Sequence, residues 1–214
     1  DKDSIQIQLL KPYIKKVTVS KNKVIIPTIP NKEITLIGSD NQSVIDLKGS
    51  VHNPLVAKSV NLLFKVEDKS THESVEIPVK NINVSGTFSA AEGNSQPFVI
   101  PSLREWVGGS GNYQLLKTSK IVYSDTSASS KAVAMLLQED LQKMLKLNVP
   151  LQASRKMASK KGDIVIAYSH DRALGRDGYR INIGNTFEIT APDYAGKVFA
   201  TRTLLQLLEQ DKAN

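Results

Sequence analysis

The chain has 214 residues, of which 40% are hydrophobic and 23% charged, and this composition excludes a collagen-like or wholly disordered protein. Cysteine is absent, which excludes disulfides and thiol catalysis, and the three histidines are far apart, so we expect no metal site and no cofactor. The net charge of +7 is mild, and because no apolar run approaches the roughly 20 residues that cross a bilayer, we expect no membrane span.

The first part of the chain, residues 1–90, is predicted to be an all-β domain. Short runs rich in Val, Ile and Thr are separated by turn residues at intervals of roughly 8–12 residues, a pattern typical of a sandwich or a barrel. No helical periodicity is recognisable in residues 1–85. The predicted strands are 5–9, 16–20, 23–26, 33–37, 43–47, 60–66 and 74–79.

Residues 91–112 are predicted to connect two domains, because they are rich in Gly, Ser and Pro and hold the single tryptophan, Trp106. A tryptophan in such a segment stacks on a sugar ring or anchors an interface. We favour packing of Trp106 between the two domains. We therefore single out Trp106, with Tyr113 just after it, as interdomain or glycan contacts.

Residues 113–214 alternate between strand and helix patterns, which predicts an α+β domain with two helices on a mostly antiparallel sheet. The predicted strands are 120–123, 163–168, 178–183 and 186–190, and Gly184-Asn185 predicts a two-residue hairpin turn between the last two. One helix is predicted from a cap at Asp125 or a serine within 127–130 to about residue 147. The other runs from Pro192 to about residue 209, with its apolar stripe at Val198, Phe199, Leu204, Leu205 and Leu208.

A basic stretch without acidic residues lies between positions 143 and 161, with its charges at Lys143, Lys146, Arg155, Lys156, Lys160 and Lys161. Such a stretch suits nucleic acid or an anionic wall polymer. No aromatic residues alternate with the charges, as stacking on bases requires. We therefore interpret it as a helix C-terminus, where the dipole favours cations, followed by a solvated loop, and we expect no nucleic-acid partner.

Ser169-His170-Asp171 follows a predicted strand, at a position where α/β proteins often carry chemistry. A catalytic triad needs groups that converge from separate parts of the chain rather than three neighbours. We therefore interpret these three residues as a solvated turn.

Five motifs in the second half carry a family resemblance: IVY at 121–123, GDIVI at 162–166, GYRINI at 178–183, FEITA at 187–191 and AGKVFATRTLLQLL at 195–208. With them, residues 97–210 resemble the non-catalytic α+β domain that precedes the catalytic barrel in family 20 glycoside hydrolases. That family includes bacterial β-N-acetylhexosaminidases and lacto-N-biosidases. KVTVS at 16–20, ITLIGSDN at 34–41 and VIDLKG at 44–49 more loosely resemble a bacterial immunoglobulin-like module, which implies a β-sandwich.

The resemblance implies that catalysis lies in a barrel that this chain lacks. In the family, an adjacent Asp-Glu pair in the barrel acts, the Glu as general acid and the Asp holding the acetamido group of the substrate. The adjacent acidic pairs here, Glu67-Asp68 and Glu139-Asp140, fall at a predicted strand end and in mid-helix, and we interpret them as solvent-facing charge. We therefore expect this fragment to have no hydrolase activity.

We expect the fragment to support and position its own downstream barrel, which hydrolyses terminal N-acetylhexosamine-containing glycans. Leu207 lies off the main apolar stripe and is our candidate for a barrel-facing contact. The alternative is a pair of carbohydrate- or cell-wall-binding modules that use Trp106 and the basic stretch. A lysine-rich chain without cysteine fits an extracellular or cell-surface protein of a Gram-positive bacterium.

Overall fold

The computed structural model describes residues 2–89, 93–124 and 126–213. By their contacts the residues form two compact units, Asp1–Glu92 with Glu105–Val107 and Gly93–Arg104 with Gly108–Asn214. The predicted connector 91–112 is thereby shared between the two units. Each unit has its own hydrophobic core.

In the described part of the first unit the chain forms α1 (Lys2–Ile14), β1 (Thr18–Val19), β2 (Val24–Ile25), β3 (Lys32–Ser39), β4 (Lys58–Asp68) and β5 (Ser74–Val84). β1 and β2 form an antiparallel pair, and β4 is the central strand of an antiparallel sheet in the order β3-β4-β5. Alternate residues of β4 point into the core, which buries Val60, Leu62, Phe64 and Val66.

The prediction of an all-β first domain is wrong, because residues 2–14 form α1 rather than a strand at 5–9. Ile5, Ile7 and Leu9 alternate along the sequence like a strand, yet Ile5 and Leu9 are exposed. Ile7, Leu10 and Ile14 contact the core instead, at the spacing of one helix face. The immunoglobulin-like sandwich is not confirmed.

Two other predicted strands of this unit differ from the observed elements. Residues 43–47 form a turn rather than a strand, held by the Asp46 carboxylate, which accepts hydrogen bonds from the N–H groups of Lys48 and Ser50 at 2.9 Å each. β5 continues to Val84, past the predicted end at 79. A register shift in its pairing with β4, together with the positive φ of Asn81, interrupts the alternation that the sequence pattern relies on.

The second unit contains β6 (Ile121–Tyr123), α2 (Ala128–Leu145), β7 (Leu151–Ala153), β8 (Ile164–Tyr168), a 3₁₀ turn (Arg172–Leu174), β9 (Arg180–Ile183), β10 (Phe187–Ala191) and α3 (Tyr194–Ala213). Its sheet has the order β7-β6-β8-β10-β9. The α+β character is confirmed. The helices contact each other, and their apolar residues share a core with alternate residues of β6, β8 and β10.

The prediction of a mostly antiparallel sheet is wrong. β7, β6, β8 and β10 are parallel neighbours, and only the β9–β10 pair is antiparallel. The physical reason lies in the connections: α2 carries the chain from β6 across to β7, and a crossover of that length returns the strand in the same direction. The predicted hairpin between β9 and β10 is confirmed, with three loop residues, 184–186, instead of two.

Both predicted helices are confirmed. Ser127 is the N-cap of α2, where its hydroxyl accepts from the N–H of Ser130 at 3.2 Å, while the other proposed cap, Asp125, lies outside the described residues. In α3 the prediction for Phe199 fails, because its side chain is 47% exposed, whereas Lys197 is fully buried. No helix in the described ranges is long and apolar enough to cross a membrane.

Candidate functional site

The GDIVI motif forms a structural junction at the start of β8. Asp163 is buried, and its carboxylate accepts the N–H of Lys120 at 2.9 Å and the N–H of Lys160 at 2.7 Å. Gly162 has a φ of +91°, and a Cβ added there would lie 2.6 Å from the hydroxyl oxygen of Ser119. Glycine is therefore the residue that fits the turn, and the Asp163 carboxylate ties the start of β6 to the loop that leads into β8.

Tyr113 is part of the same junction. Its hydroxyl donates to the carbonyl oxygen of Gly162 at 2.8 Å, and its ring meets Phe187 edge to face with 5.6 Å between centroids. Burial, with a smaller effect of the Asp163 charge, raises the pKa of the Tyr113 hydroxyl. Tyr113 thus packs inside the second unit.

Trp106 is half-buried and belongs by its contacts to the first unit. A glycan or interdomain role of either residue stays a prediction.

The two adjacent acidic pairs are engaged by cations. Glu67 contacts Lys65 at 2.8 Å and Asp68 contacts Lys32 at 2.6 Å, and these side-chain hydrogen bonds lower the pKa of both carboxyls. A general acid needs the opposite shift, a pKa raised toward the working pH. The Glu67-Asp68 pair is therefore unsuited to acid catalysis.

The carboxylates of the second pair, on α2, also contact cationic side chains. Glu139 pairs with Lys143 one turn further on, which lowers the pKa of Glu139, and Asp140 contacts Arg202 of α3 at 2.8 Å. Lys143 and the C-cap residue Lys146 also show where the basic stretch begins. As predicted, its first charges lie at a helix C-terminus.

The carboxyl ends of β6, β8 and β10 lie at one edge of the sheet, where the two long helices begin. The side chains of residues 168–171, among those that the structure describes at this edge, make local contacts. Asp171 caps the 3₁₀ turn and pairs with Arg180 at 2.7 Å, while the ring of His170 packs edge to face on Tyr168 at 4.8 Å. The interpretation of residues 169–171 as a turn agrees with this geometry.

Lys197 is an unusual residue at this edge, because it is fully buried in the first turn of α3. Its ammonium nitrogen donates to the Ser129 hydroxyl at 2.9 Å and lies 5.8 Å from the centre of the Tyr168 ring. Burial lowers the pKa of Lys197, and the negative charge of Asp193 offsets part of that effect. Among the described residues its hydrogen-bond acceptor is the neutral Ser129 hydroxyl, and a neutral acceptor compensates poorly for burying a cation.

We expect Lys197→Met to leave the second unit at least as stable as the parent at pH 7. The parent should gain stability as the pH rises from the lowered folded-state pKa toward the unfolded value, because the unfolded chain binds the extra proton in that window. Urea denaturation from pH 7 to pH 11 should show this slope in the parent and a flatter one in K197M. A loss of more than about 1 kcal/mol in K197M at pH 7 would contradict it.

An extended segment at 98–100 is held against α3 by two glutamines one turn apart. The Ile100 N–H donates to the side-chain oxygen of Gln206 at 2.9 Å, and the Gln206 amide donates back to the Ile100 carbonyl at 2.8 Å. The Gln210 amide donates to the Phe98 carbonyl at 2.7 Å. Gln206 lies in the TLLQL part of the motif at 195–208, and the sequence predicted no role for it. The spacing of four positions between Gln206 and Gln210, which places both side chains on one face of α3, is the signal that could have indicated this contact.

Leu207, the predicted barrel-facing residue, is half-buried and packs against the core of its own unit. Part of its surface is therefore already used within the second unit, and contact with another domain stays a prediction.

The first unit has a groove of about 880 Å³ between α1, β1 and β5. Its floor includes Ile14 and Ile77, and three lysines, Lys11, Lys15 and Lys80, are among the residues that line it. Among the described residues none of these three lysines forms an ion pair. The groove therefore combines apolar surface with positive charge.

The family match to known proteins lies almost entirely in the second unit. A family model described as glycosyl hydrolase family 20, domain 2, matches residues 96–214. The lacto-N-biosidase of Bifidobacterium bifidum is 27% identical over 117 residues, which are 54% of this chain and 10% of that protein. The chain thus spans about a tenth of the length of this relative. Since the family match covers more than half of the chain, the chain belongs to glycosyl hydrolase family 20, and residues 96–214 are its domain 2.

Proposed function

We propose that this chain is a non-catalytic N-terminal part of a glycoside hydrolase, which supports and positions a catalytic barrel carried further along the same polypeptide. The barrel would hydrolyse terminal N-acetylhexosamine-containing glycans. The proposal includes an extracellular or cell-surface location in a Gram-positive bacterium, in keeping with the absence of cysteine.

The match of residues 96–214 to domain 2 of the family carries this proposal. The name of the relative, a lacto-N-biosidase, supports the substrate class. The geometry of the acidic pairs agrees with a supporting role, because Glu67, Asp68 and Glu139 are bound to lysines that keep them ionised.

Two measurements test the proposal. Sequencing of the coding region beyond Asn214 should find a barrel-sized extension, about 250 residues, with an adjacent Asp-Glu pair. The 214-residue chain should not cleave a chromogenic β-N-acetylhexosaminide, whereas the full-length gene product should. A stop codon shortly after Asn214, or hydrolysis by the 214-residue chain itself, would overturn it.

The groove in the first unit favours a second function, binding of an anionic glycan of the cell wall. Its three lysines would contact the negative charges, and such binding weakens as salt increases. Binding of the 214-residue chain to a panel of charged and neutral glycans tests this function. The triple variant K11S/K15S/K80S should lose the interaction, with K21S/K48S/K69S as a control for net charge. Equal losses of glycan binding in both variants would show that the net charge of the chain, and not the groove, determines binding.

A further inference from the structure

Phe98 and Ile100 are the most exposed large hydrophobic side chains that the structure describes, at 75% and 68%. Val99 between them is 2% exposed, so the segment alternates like a strand with one side chain inward and two outward. We call Phe98 and Ile100 together the apolar strip. Large apolar side chains next to each other on a surface are typical of an interaction site.

The apolar strip is held in place rather than left loose. Three hydrogen bonds from Gln206 and Gln210 fix the backbone of residues 98 and 100 on α3. Because these bonds use main-chain groups, both outward side chains remain available. A partner that binds a pre-ordered surface loses less conformational entropy than one that must order it.

The position of the apolar strip indicates what covers it. Gln210 contacts the backbone of Phe98 and lies three residues before Ala213, the last residue of α3. At a rise of 1.5 Å per residue, the helix ends about 5 Å beyond this contact along its axis. A domain joined to the end of α3 therefore starts beside the apolar strip.

We propose that the apolar strip is the surface on which the catalytic barrel docks, with Phe98 as the main anchor inserted between apolar side chains of the barrel. The inference rests on the proposed function, which supplies a domain after α3. It assigns the contact to residues 98 and 100 rather than to Leu207, which packs on its own core.

The test compares the double variant F98S/I100S in two proteins, the full-length gene product and the 214-residue chain. Loss of the docking contact should lower the melting temperature of the full-length protein by about 4 °C or more. The same change should shift the 214-residue chain by less than about 1 °C, because both side chains are exposed there. The control I25S/F88S replaces the same residue types at exposed positions of the first unit and should shift neither protein.

A photo-crosslinking amino acid at position 98 gives a second, independent measurement. In the full-length protein it should form a crosslink to a peptide of the barrel, identified by mass spectrometry. An unchanged melting temperature of full-length F98S/I100S overturns the inference, and so does a crosslink elsewhere. Equal destabilisation of both proteins overturns it too, since the strip would then stabilise its own unit.

A second copy of this chain is the competing occupant. Dimerisation of the 214-residue chain in sedimentation experiments, abolished by F98S/I100S, would assign the apolar strip to self-association and overturn docking. Failure of the proposed function would be recognised separately, because the coding sequence would then encode no barrel at all.

Discussion

Phe187→Ala is expected to lower the free energy of unfolding of the second unit by about 3–5 kcal/mol. Phe187 is 2% exposed at the start of β10, paired with Ile164 on β8 and Ile183 on β9, and its ring meets Tyr113 edge to face. Alanine would leave a cavity at the point where three strands and the segment before β6 meet. Calorimetry or urea denaturation of the 214-residue chain measures the loss.

Phe199→Ala is the matched control for this prediction. It removes the same side chain from the same unit at a position that is about half exposed. We expect a loss of less than about 1 kcal/mol. A comparable loss in both variants would show that burial at β10 does not determine the effect.

Asp163→Ala is expected to cost about 3 kcal/mol, because its carboxylate accepts two backbone N–H groups and hydrogen bonds to a charged acceptor contribute about 1.5–3 kcal/mol each. Without it, the N–H groups of Lys120 and Lys160 lose their acceptor, and the side-chain link between the start of β6 and the loop before β8 is lost. The variant should show its largest gain in amide hydrogen exchange at these two residues.

Asp163→Asn removes the charge of the side chain but keeps its shape. Its amide oxygen can accept one N–H, while the amide NH₂ faces the other donor, so we expect most of the loss of D163A to remain. The exposed Asp177→Ala serves as the control and should be close to neutral. If D163N were as stable as the parent, the two hydrogen bonds would not explain the buried carboxylate.

Local patterns in the sequence were sufficient for much of the second unit. The continuous apolar run Ile-Val-Ile-Ala at 164–167 predicted a strand buried on both faces. Residues 164–166 are buried in β8, whereas Ala167 is half-buried. The predicted apolar stripe of α2 was Val133, Leu136, Leu137, Leu141, Met144 and Leu145. Val133, Leu137, Leu141 and Leu145 lie in the core, whereas Leu136 is half-buried and Met144 is exposed. These patterns predict strands and helices correctly because the buried positions of one element recur every few residues along the chain.

Features that depend on distant residues could not be predicted in this way. The order and direction of strands in the second sheet follow from the path of its connections rather than from the strand sequences. The exposure of Phe199 and the burial of Lys197 depend on how α3 lies against α2. The contacts of Gln206 and Gln210 join positions more than a hundred residues apart. In α1 the alternation of Ile5, Ile7 and Leu9 was misleading, because tertiary contacts overrode it.

The hydrogen bonds between residues 98–100 and the end of α3 also bring the two ends of the second unit side by side. The partners are separated by 106 and 112 positions in sequence, nearly the full length of the unit. A folded unit whose first and last segments lie close together can be inserted as a whole between other domains. The modules that precede such a unit can be exchanged or lengthened during evolution without altering the position of its last helix.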